Sequence, residues 1–473
     1  MKHLCLAALA AVSFASPLAA QQVPNAAPDI RVSAYDRFYT SDQFSNTVSV
    51  INPATNTLLG VIKLGDLTPA NLSPLYKGQL LVHGMGFSPD HKTLAVVSIG
   101  SNSVTFIDTA TNAVKHTTYV GRSPHEAFFT PNGREVWVSI RGQDYIQVLN
   151  SRTFDPTGRI TVPNGPGMTI FSPSGKYGYV CSSFSPETVV VDTASRRIVG
   201  RVKQDSPFCP DIAATPDGKQ VWLTLKDVGK TMVFDAKPPF AVIRTIDTGA
   251  LTNHVNIARN RMGQFAYVTV GTENIVKVFR TTDFAQVATI PVGALPHGLW
   301  PSGDGTRIYV GLENADAVAA IDTLTNKVIA TIPIGQGPQG VAYVPEAVLN
   351  GDGMANLVPL ADAGKKTQLT LVGTGRSQVT LFDQGPVQIL QAAVGGLQPK
   401  APYLLGLAGN PQGSGGIQPL AKFMTSPSGS AVVNAIGPIR QVVSADAPAN
   451  RRYLVVAFGT PESIGAVAQV QQR

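Results

Sequence analysis

The sequence of 473 residues is poor in charge, aromatic rings and cysteine. Only 14% of its residues are charged, 7% are aromatic and 3 are cysteines. Soluble domains average roughly 25% charged residues, so this low content of charged residues excludes a disordered polyelectrolyte. The 45 glycines follow no three-residue period, which excludes a collagen. The net charge of +7 is mild for this length and does not by itself indicate nucleic-acid binding.

Motifs of several common enzyme and cofactor classes are missing. The sequence has no Cys-x-x-Cys-His for covalent haem, no Gly-x-Ser-x-Gly nucleophile elbow and no phosphate-binding loop. Gly373-Thr374-Gly375 ends a strand-like run and lacks the following helix that a dinucleotide site needs. No stretch beyond residue 20 approaches the run of about 18 apolar residues that a membrane helix requires, so no membrane span is predicted.

The first twenty residues form a separate unit. Lys2 precedes an apolar run from Leu4 to Phe14 and a small-residue end at Ala20, a pattern typical of a cleaved secretory signal peptide. We therefore expect a periplasmic or extracellular protein. Cys181 and Cys209 remain after cleavage, and the sequence leaves open whether they form a disulfide or pack as two small apolar side chains.

A unit of about 42 residues repeats along most of the chain. Seven equivalent β-rich runs end at Asn52, Asp108, Asn150, Asp192, Asp235, Arg280 and Asp322. The last copy contains four such runs, namely Arg307 to Gly311, Ala317 to Ile321, Val328 to Ile334 and Gly340 to Val344. Four strands in each copy, with no helical periodicity, predict the blades of a seven-bladed β-propeller. The run at 340–344 is expected to pair with the first run, Phe38 to Thr40, and thereby to close the ring.

The repeated units resemble the YVTN-type propeller repeat. Tyr267-Val268-Thr269-Val270 matches its first run, Asn46 to Ile51 its second and Thr331 to Gly335 its third, and the resemblance covers about residues 36 to 346. The first copy departs from it by an insertion around Asp66 to Leu81. The resemblance implies an exported or surface-associated propeller of the surface-layer or periplasmic type, often without known catalysis.

The predicted fold class is all-β, a seven-bladed β-propeller followed by a small C-terminal β-sandwich. The predicted boundaries are a signal peptide at 1–20, the propeller at 21–346, a linker at 347–365 and a β-sandwich-like domain at 366–473. Short runs such as Gln368 to Val372 and Tyr403 to Leu407, separated by Gly and Pro turns, indicate the last domain.

Histidine recurs at one position of the repeat, just before the fourth run. The seven equivalent residues are His83, His125, Gly167, Pro210, His254, His297 and Gln339. Chance would place about 0.1 histidines at these seven sites. Three interpretations stay open: a Pro-His-Gly motif inherited by duplication, with its imidazole hydrogen-bonded to a carbonyl of a neighbouring blade; a small-molecule or anion site; and a divalent transition metal bound by the four imidazoles. No cofactor is certain from the sequence.

Loops between the first and second runs are expected to open onto the same face. These loops contribute Asp42, Arg141, Asp144, Lys226, Asp227, Glu273, Glu313 and Asn314. Together with Gln339, we expect Arg141, Lys226 and Glu313 to form a ligand rim at the channel mouth. Glu126 follows His125 directly, and alternation along a regular strand would send these two side chains to opposite faces.

The favoured function is that of an exported, non-enzymatic binding or scaffold protein. It would present the histidine-bearing channel mouth to a small molecule or a protein partner. The first alternative is a hydrolase or lactonase-like enzyme, because seven-bladed relatives include such activities, and it requires carboxylates that converge with the histidines. The second alternative is binding of single-stranded nucleic acid or another polyanion, against which stand the few aromatic residues available for base stacking.

Overall fold

Seven four-stranded antiparallel sheets form a β-propeller, and an eighth sheet follows it. The computed structural model describes residues 30–65, 80–360, 366–384, 387–414, 416–445 and 449–472. Two regions discussed above therefore lie outside the described residues: the predicted signal peptide at 1–20 and most of the insertion around Asp66 to Leu81.

Each blade contributes one inner, two middle and one outer strand. Blade 1 has β1 (Arg37–Asp42), β2 (Thr47–Asn52) and β3 (Thr57–Lys63); blade 2 has β4 (Val82–Phe87), β5 (Thr93–Ser98), β6 (Ser103–Asp108) and β7 (Val114–Tyr119); blade 3 has β8 (Pro124–Phe129), β9 (Glu135–Ile140), β10 (Tyr145–Asn150) and β11 (Pro156–Thr161). Blade 4 has β12 (Pro166–Phe171), β13 (Tyr177–Ser182), β14 (Glu187–Asp192) and β15 (Arg197–Lys203); blade 5 has β16 (Ile212–Ala214), β17 (Gln220–Leu225), β18 (Lys230–Asp235) and β19 (Val242–Asp247). Blade 6 has β20 (Thr252–Asn260), β21 (Gly263–Val270), β22 (Ile275–Arg280) and β23 (Gln286–Pro291); blade 7 has β24 (Pro296–Pro301), β25 (Arg307–Leu312), β26 (Ala317–Asp322) and β27 (Lys327–Pro333).

The last propeller strand, β28 (Pro338–Val344), completes blade 1. It pairs antiparallel with β1, where Phe38 stands opposite Tyr343 and Arg37 opposite Val344. The predicted seven-bladed propeller and its closure by residues 340–344 are thereby confirmed. Because β28 pairs with β1, the propeller has no open sheet edge between the two ends of the domain. The propeller therefore starts with a middle strand, β1, and its last strand supplies the inner strand of blade 1.

Recurring tyrosines tie neighbouring blades together at the end of the ring opposite the histidines. The hydroxyl of Tyr309 donates a 2.8 Å hydrogen bond to Asn56 Oδ1, and that of Tyr267 donates one of 2.8 Å to Asn326 Oδ1. Both rings are buried between sheets. Each of these hydrogen bonds gives the hydroxyl of a large buried tyrosine a partner on the next blade.

Cys181 and Cys209 form a disulfide between blade 4 and the segment that leads into blade 5. Their Cα atoms are 5.9 Å apart and both residues are buried. Cys209 lies two residues before Asp211, so the bridge fixes the start of the inner strand of blade 5. Of the two alternatives that the sequence left open, the structure has the disulfide.

The linker beyond the propeller follows the outside of blade 1. Val61 and Val358 exchange two backbone hydrogen bonds of 2.9 Å, and Asn112 Nδ2 donates to the Gly353 carbonyl at 2.9 Å. Through these contacts, the described part of the linker, up to residue 360, packs along the outside of blades 1 and 2. The C-terminal domain begins again at the histidine-bearing end of the ring, where Lys366 contacts blade 7.

The C-terminal domain is all-β, as predicted, with eight strands that form one continuous antiparallel sheet. Its elements are β29 (Lys366–Gly373), β30 (Gly375–Gln384), β31 (Val387–Val394), β32 (Pro402–Ala408), β33 (Ile417–Met424), β34 (Ala431–Gly437), α1 (Ile439–Val443), β35 (Tyr453–Thr460) and β36 (Ser463–Gln471). The two end strands β33 and β34 approach each other, so the sheet curves into a near-barrel and encloses its own core. Among the described residues, no helix has the length and apolar character needed to cross a membrane.

Candidate functional site

The four recurrent histidines lie at the starts of inner strands, at one end of the propeller axis. His83, His125 and His297 are the second residues of β4, β8 and β24, and His254 is the third of β20. Each is only 5 to 7% exposed. Gln339 occupies the equivalent place in β28, between His297 and His83 around the ring.

The histidines form two pairs of closely packed, mutually tilted rings. The ring centroids of His83 and His125 are 4.3 Å apart, and those of His254 and His297 are 4.4 Å apart. The two pairs also interact electrostatically, since His297 lowers the pKa of His83 and His254 lowers that of His125. Residues more than 200 positions apart in sequence thus share one buried cluster.

A β-bulge at the start of the inner strand turns these side chains toward the axis. In blade 3, Pro124 pairs with Ile140 and Ala127 pairs with Val138, so His125 and Glu126 together face the single residue Ser139. The same count of two residues against one occurs in β4, β20, β24 and β28. A bulge bends the strand and redirects side chains, which makes the ring a repeated feature of the backbone.

Hydroxyl groups opposite the bulges connect one blade to the next. Thr269 donates a 3.0 Å hydrogen bond to the His297 carbonyl, and Thr224 donates one of 2.6 Å to the Asn253 carbonyl. Ser41 donates to the carbonyls of Gly340 and His83. These bonds hold the histidine-bearing segments in fixed relation around the ring.

Backbone carbonyls determine which imidazole nitrogen carries the proton. His125 Nδ1 lies 3.0 Å from the Gly167 carbonyl oxygen, and His297 Nδ1 lies 3.2 Å from that of Gln339. A carbonyl only accepts, so Nδ1 is the donor in both rings and Nε2 keeps a free lone pair. Two further ring nitrogens, His83 Nδ1 and His254 Nε2, are buried and have no hydrogen-bond partner among the described residues.

Burial keeps all four imidazoles neutral. It is the largest cause of the lowered pKa of each ring, and it lowers the pKa of His297 to about 3. Lys226 adds to this effect at His83, His254 and His297. Neutral imidazole is the form that binds a metal ion.

Two buried carboxyl groups join the histidines. Glu126 Oε1 lies 3.8 Å from His125 Nδ1, and Asp211 Oδ2 lies 3.4 Å from His254 Nδ1. Burial raises the pKa of Glu126 well above its usual value and that of Asp211 to about 8. The charge of Asp211 raises the pKa of Glu126 further. The expectation that Glu126 and His125 point to opposite faces was wrong, because the bulge interrupts the alternation of a regular strand.

The His83, His125 and Glu126 side chains form the most compact group of ligand atoms in the described residues. One atom from each lies within 4.8 Å of the other two. Gly84 makes this arrangement feasible, because a side chain on that residue would collide with the Glu126 carboxyl group. Two imidazoles and a carboxylate are a common ligand set for Zn²⁺ and related ions.

Below the histidines the channel is nearly filled. Its walls are largely apolar, with Met85, Phe128, Met168 and Trp300 among them, and the free space wide enough for water is about 20 Å³. That volume holds about one water molecule. Access to the cluster is therefore from the end of the ring where the histidines lie.

The C-terminal sheet covers part of that end. Phe382 packs on Phe44 with ring centroids 4.7 Å apart, and Thr380 Oγ1 donates a 3.1 Å hydrogen bond to the Asn314 carbonyl. Further contacts join Gln384 to Phe44 and Gln336, Lys366 to Asp316, and Ser428 to Asp227. We call residues 366–472 the lid. The predicted open channel mouth is thus partly closed by the chain's own C-terminal domain.

The four predicted rim residues fall into two groups. Glu313 is 4% exposed, and burial raises its pKa. The charge of Lys226 and the side-chain amides of Gln339 and of Gln391 in the lid lower that pKa, but burial outweighs them. Arg141 and Lys226 are partly buried, and both lie within 6 Å of the Phe208 ring centre. Asp42, also predicted for the rim, instead accepts hydrogen bonds from Thr40, Thr47 and Ser49 within blade 1.

Sequence reasoning underrated Glu126 and Asp211 and missed the lid. Both acids directly follow ring positions, His125 and Pro210, so the repeat itself carried the signal. For Glu126, the alternation of a regular strand predicts the opposite face, because the bulge is not visible in the sequence. Nothing in the sequence of residues 366–472 indicated which end of the propeller they cover.

Comparisons with known proteins agree with this architecture. The model of the YNCE-like β-propeller family matches residues 2–348. A Kuenenia stuttgartiensis hydrazine synthase chain is similar at 19% identity with a TM-score of 0.51, covering 60% of this chain and 92% of its own. A functionally unknown Desulfotomaculum acetoxidans protein is similar at 14% identity with a TM-score of 0.54, covering 65% and 98% respectively.

Identities this low establish a shared fold and nothing about activity. No curated protein matches the sequence. The family model covers well over half of the chain, including all seven blades and their closing strand. The protein therefore belongs to the YNCE-like β-propeller family.

Proposed function

We propose that this chain is an exported metal-binding protein that holds one divalent transition-metal ion in the histidine cluster on the propeller axis. The observation that carries the proposal is the set of buried ring nitrogens without partners, His83 Nδ1 and His254 Nε2. A buried polar atom without a hydrogen bond costs about 1 to 3 kcal/mol. A bound cation would remove that cost at the place where the lone pairs gather.

Three further features support the same site. The Nδ1 hydrogen bonds of His125 and His297 leave their Nε2 atoms as the available ligands. Glu126 adds an oxygen close to His83 and His125, while Asp211 contacts His254 as a carboxylate that orients a metal-binding histidine would. Imidazole and carboxylate donors without thiolate favour Zn²⁺, Cu²⁺ or Ni²⁺.

The lid changes the favoured function from presentation to enclosure. The histidine face is only partly open to a large partner, because the C-terminal sheet rests on blades 5, 6, 7 and 1. An enclosed cluster suits a single ion better than a long polyanion. Secretion remains part of the proposal and depends on the predicted signal peptide.

Metal analysis of the purified protein tests this function. After incubation with Zn²⁺ and gel filtration, we expect about one ion per chain in the natural protein and less than a tenth of that in the double variant H83A/H125A. His116, which is exposed on β7, provides the control variant H116A and should retain full stoichiometry. Absence of zinc, copper and nickel from the natural protein would overturn the proposal.

The approach of Glu126 to His125 favours a second candidate, metal-dependent hydrolysis. An acid with a raised pKa next to a metal site can exchange a proton with a bound water or leaving group. Hydrolysis of a simple lactone or phenyl acetate should then require added Zn²⁺ and be lost in E126Q. Metal binding without any such hydrolysis would leave the chain a binding protein.

A further inference from the structure

Two cationic side chains face one aromatic ring beside the histidine cluster. Arg141, from the β9–β10 turn, has its guanidinium carbon 5.3 Å from the Phe208 ring centre, and Lys226 Nζ, from the β17–β18 turn, lies 5.9 Å from it. Arg141 also lies 5.6 Å from the ring centre of Phe184. Both cations lower the pKa of His83, so their charges reach the cluster.

These cations are poorly neutralised. Within the described residues, no carboxylate oxygen lies within 4.0 Å of either group, although Glu313 and Asp227 act on Lys226 from further away. Burial lowers the pKa of both side chains, and Arg141 Nε has no hydrogen-bond partner. Retained cations with an unused donor favour an anionic partner.

A neutral donor lies in the gap that blade 4 leaves in the ring. Gly167 replaces histidine there, and the hydroxyl of Ser183 lies over it, 2.8 Å from the position that a Cβ of residue 167 would take. Ser183 is buried, and its Oγ has no hydrogen-bond partner. The position without a side chain is therefore filled by an unused hydroxyl, and the residue that carries it directly precedes Phe184, whose ring Arg141 contacts.

The lid leaves this side of the ring uncovered in the described residues. Its hydrogen bonds and ion pairs reach blades 5, 7 and 1, its apolar contacts reach blade 6, and none of them involves blades 2 to 4. Arg141 belongs to blade 3, and Phe184 of blade 4 is 53% exposed. Among the described residues, Arg141 is partly exposed on this side, whereas the four histidines are only 5 to 7% exposed.

We infer that Arg141, Lys226 and Ser183 form a binding site for a small oxyanion, such as a carboxylate, sulfate or phosphate group, beside the histidine cluster. The guanidinium offers a planar pair of donors and the ammonium a point charge, a combination suited to oxygen anions. The site goes beyond the proposed metal centre, since its donors belong to different residues and it needs no metal. With a metal present, the anion would offset the added positive charge.

Calorimetric titration at constant ionic strength tests this inference. Metal-free protein is titrated with sodium sulfate, phosphate and acetate, with chloride as the reference anion. We expect saturable binding of at least one oxyanion at one site per chain, weakened about tenfold or more in R141Q and in K226M. S183A keeps both charges and should weaken binding by a smaller factor, which preserves the test if a charge variant fails to fold.

The matched control is R122Q. Arg122 is an exposed arginine of the neighbouring loop, whose Nη2 donates a 2.8 Å hydrogen bond to the Gly142 carbonyl, and its removal should change the affinity less than twofold. No saturable binding of any of the three oxyanions, or equal weakening in R122Q and R141Q, would overturn the inference. Repeating the titration after zinc loading, with the metal content measured, separates failure of this site from failure of the metal centre.

Discussion

Asp211 of blade 5 places its Oδ2 atom 3.4 Å from Nδ1 of His254, which belongs to blade 6. The same oxygen accepts a 2.9 Å hydrogen bond from the Val255 backbone N–H. One carboxyl group thus joins two blades and sets the orientation of an imidazole whose other nitrogen, Nε2, is buried without a partner. A cation at Nε2 would strengthen this contact by making the Nδ1 proton more acidic.

Replacement of Asp211 by Asn should therefore weaken metal binding more than it weakens the fold. The pKa of about 8 leaves the acid largely protonated at neutral pH, so a neutral amide of the same size is a conservative change for stability. We expect a 10- to 100-fold loss of Zn²⁺ affinity, on the order of that seen when a carboxylate is removed from behind a histidine ligand. Competition with a chromophoric chelator measures it. D205N, at an exposed acid, should bind like the natural protein.

The stability contributed by His297 should depend on pH in a defined direction. Its pKa falls from 6.5 to about 3 on folding, so the unfolded chain binds the proton more tightly and stability decreases as pH falls below 6.5. Between pH 7 and pH 4 this group should remove about 3 kcal/mol from the free energy of unfolding of the metal-free protein. The difference in stability between the natural protein and H297Q, measured by urea unfolding at each pH, should shift by that amount. A difference independent of pH would contradict the burial of a neutral ring.

The disulfide should contribute measurably to stability. It closes a loop with a sequence separation of 28 residues, for which chain entropy gives about 3.5 kcal/mol. We expect C181A/C209A to unfold at lower denaturant concentration, and we expect reducing agent to have no further effect on it. The variant should also bind metal less tightly, because Cys209 precedes Asp211 by two residues. Unchanged affinity would show that the disulfide does not position Asp211 for the site.

The contact between Phe44 and Phe382 tests how firmly the lid is docked. Their centroids lie 4.7 Å apart across the interface of the two domains. In a double-mutant cycle of F44A, F382A and both together, we expect a coupling free energy of about 1 kcal/mol. Metal should leave the zinc-loaded F382A protein faster than the natural protein, measured by transfer to a chelator. Zero coupling would show that the lid does not rest on blade 1 in solution.

The propeller was predictable from the sequence because its repeat consists of local features, namely strand spacing and turn residues. Equal spacing of strands ending at Asp192 or Asp322, and turn residues between them, determine blade number and phase. The pairing of the run at 340–344 with the first run followed from that phase, and the structure adds the register that places Phe38 opposite Tyr343. The sequence alone does not decide between a disulfide and two separate cysteine side chains, because the spacing of cysteines does not determine the distance between their Cα atoms.

The chemistry of the site was less accessible. Recurrence identified His83, His125, His254 and His297, because identical places in a closed ring converge on its axis. The role of Glu126 depends on a bulge, and the burial of Glu313 depends on a lid whose docking involves residues far apart in sequence. Periodicity describes neither feature, since both arise from backbone irregularity and domain contact.

Anomalous diffraction from crystals of the zinc-loaded protein tests the central claim most directly. Data collected on both sides of the zinc absorption edge should show one strong peak on the propeller axis, with imidazole nitrogens about 2.0 to 2.1 Å away, His83 and His125 among them. The histidine rings should move little from the tilted, paired arrangement, whose centroids are 4.3 and 4.4 Å apart. A map without an axial peak, or with zinc only at exposed residues such as His116, would contradict the account.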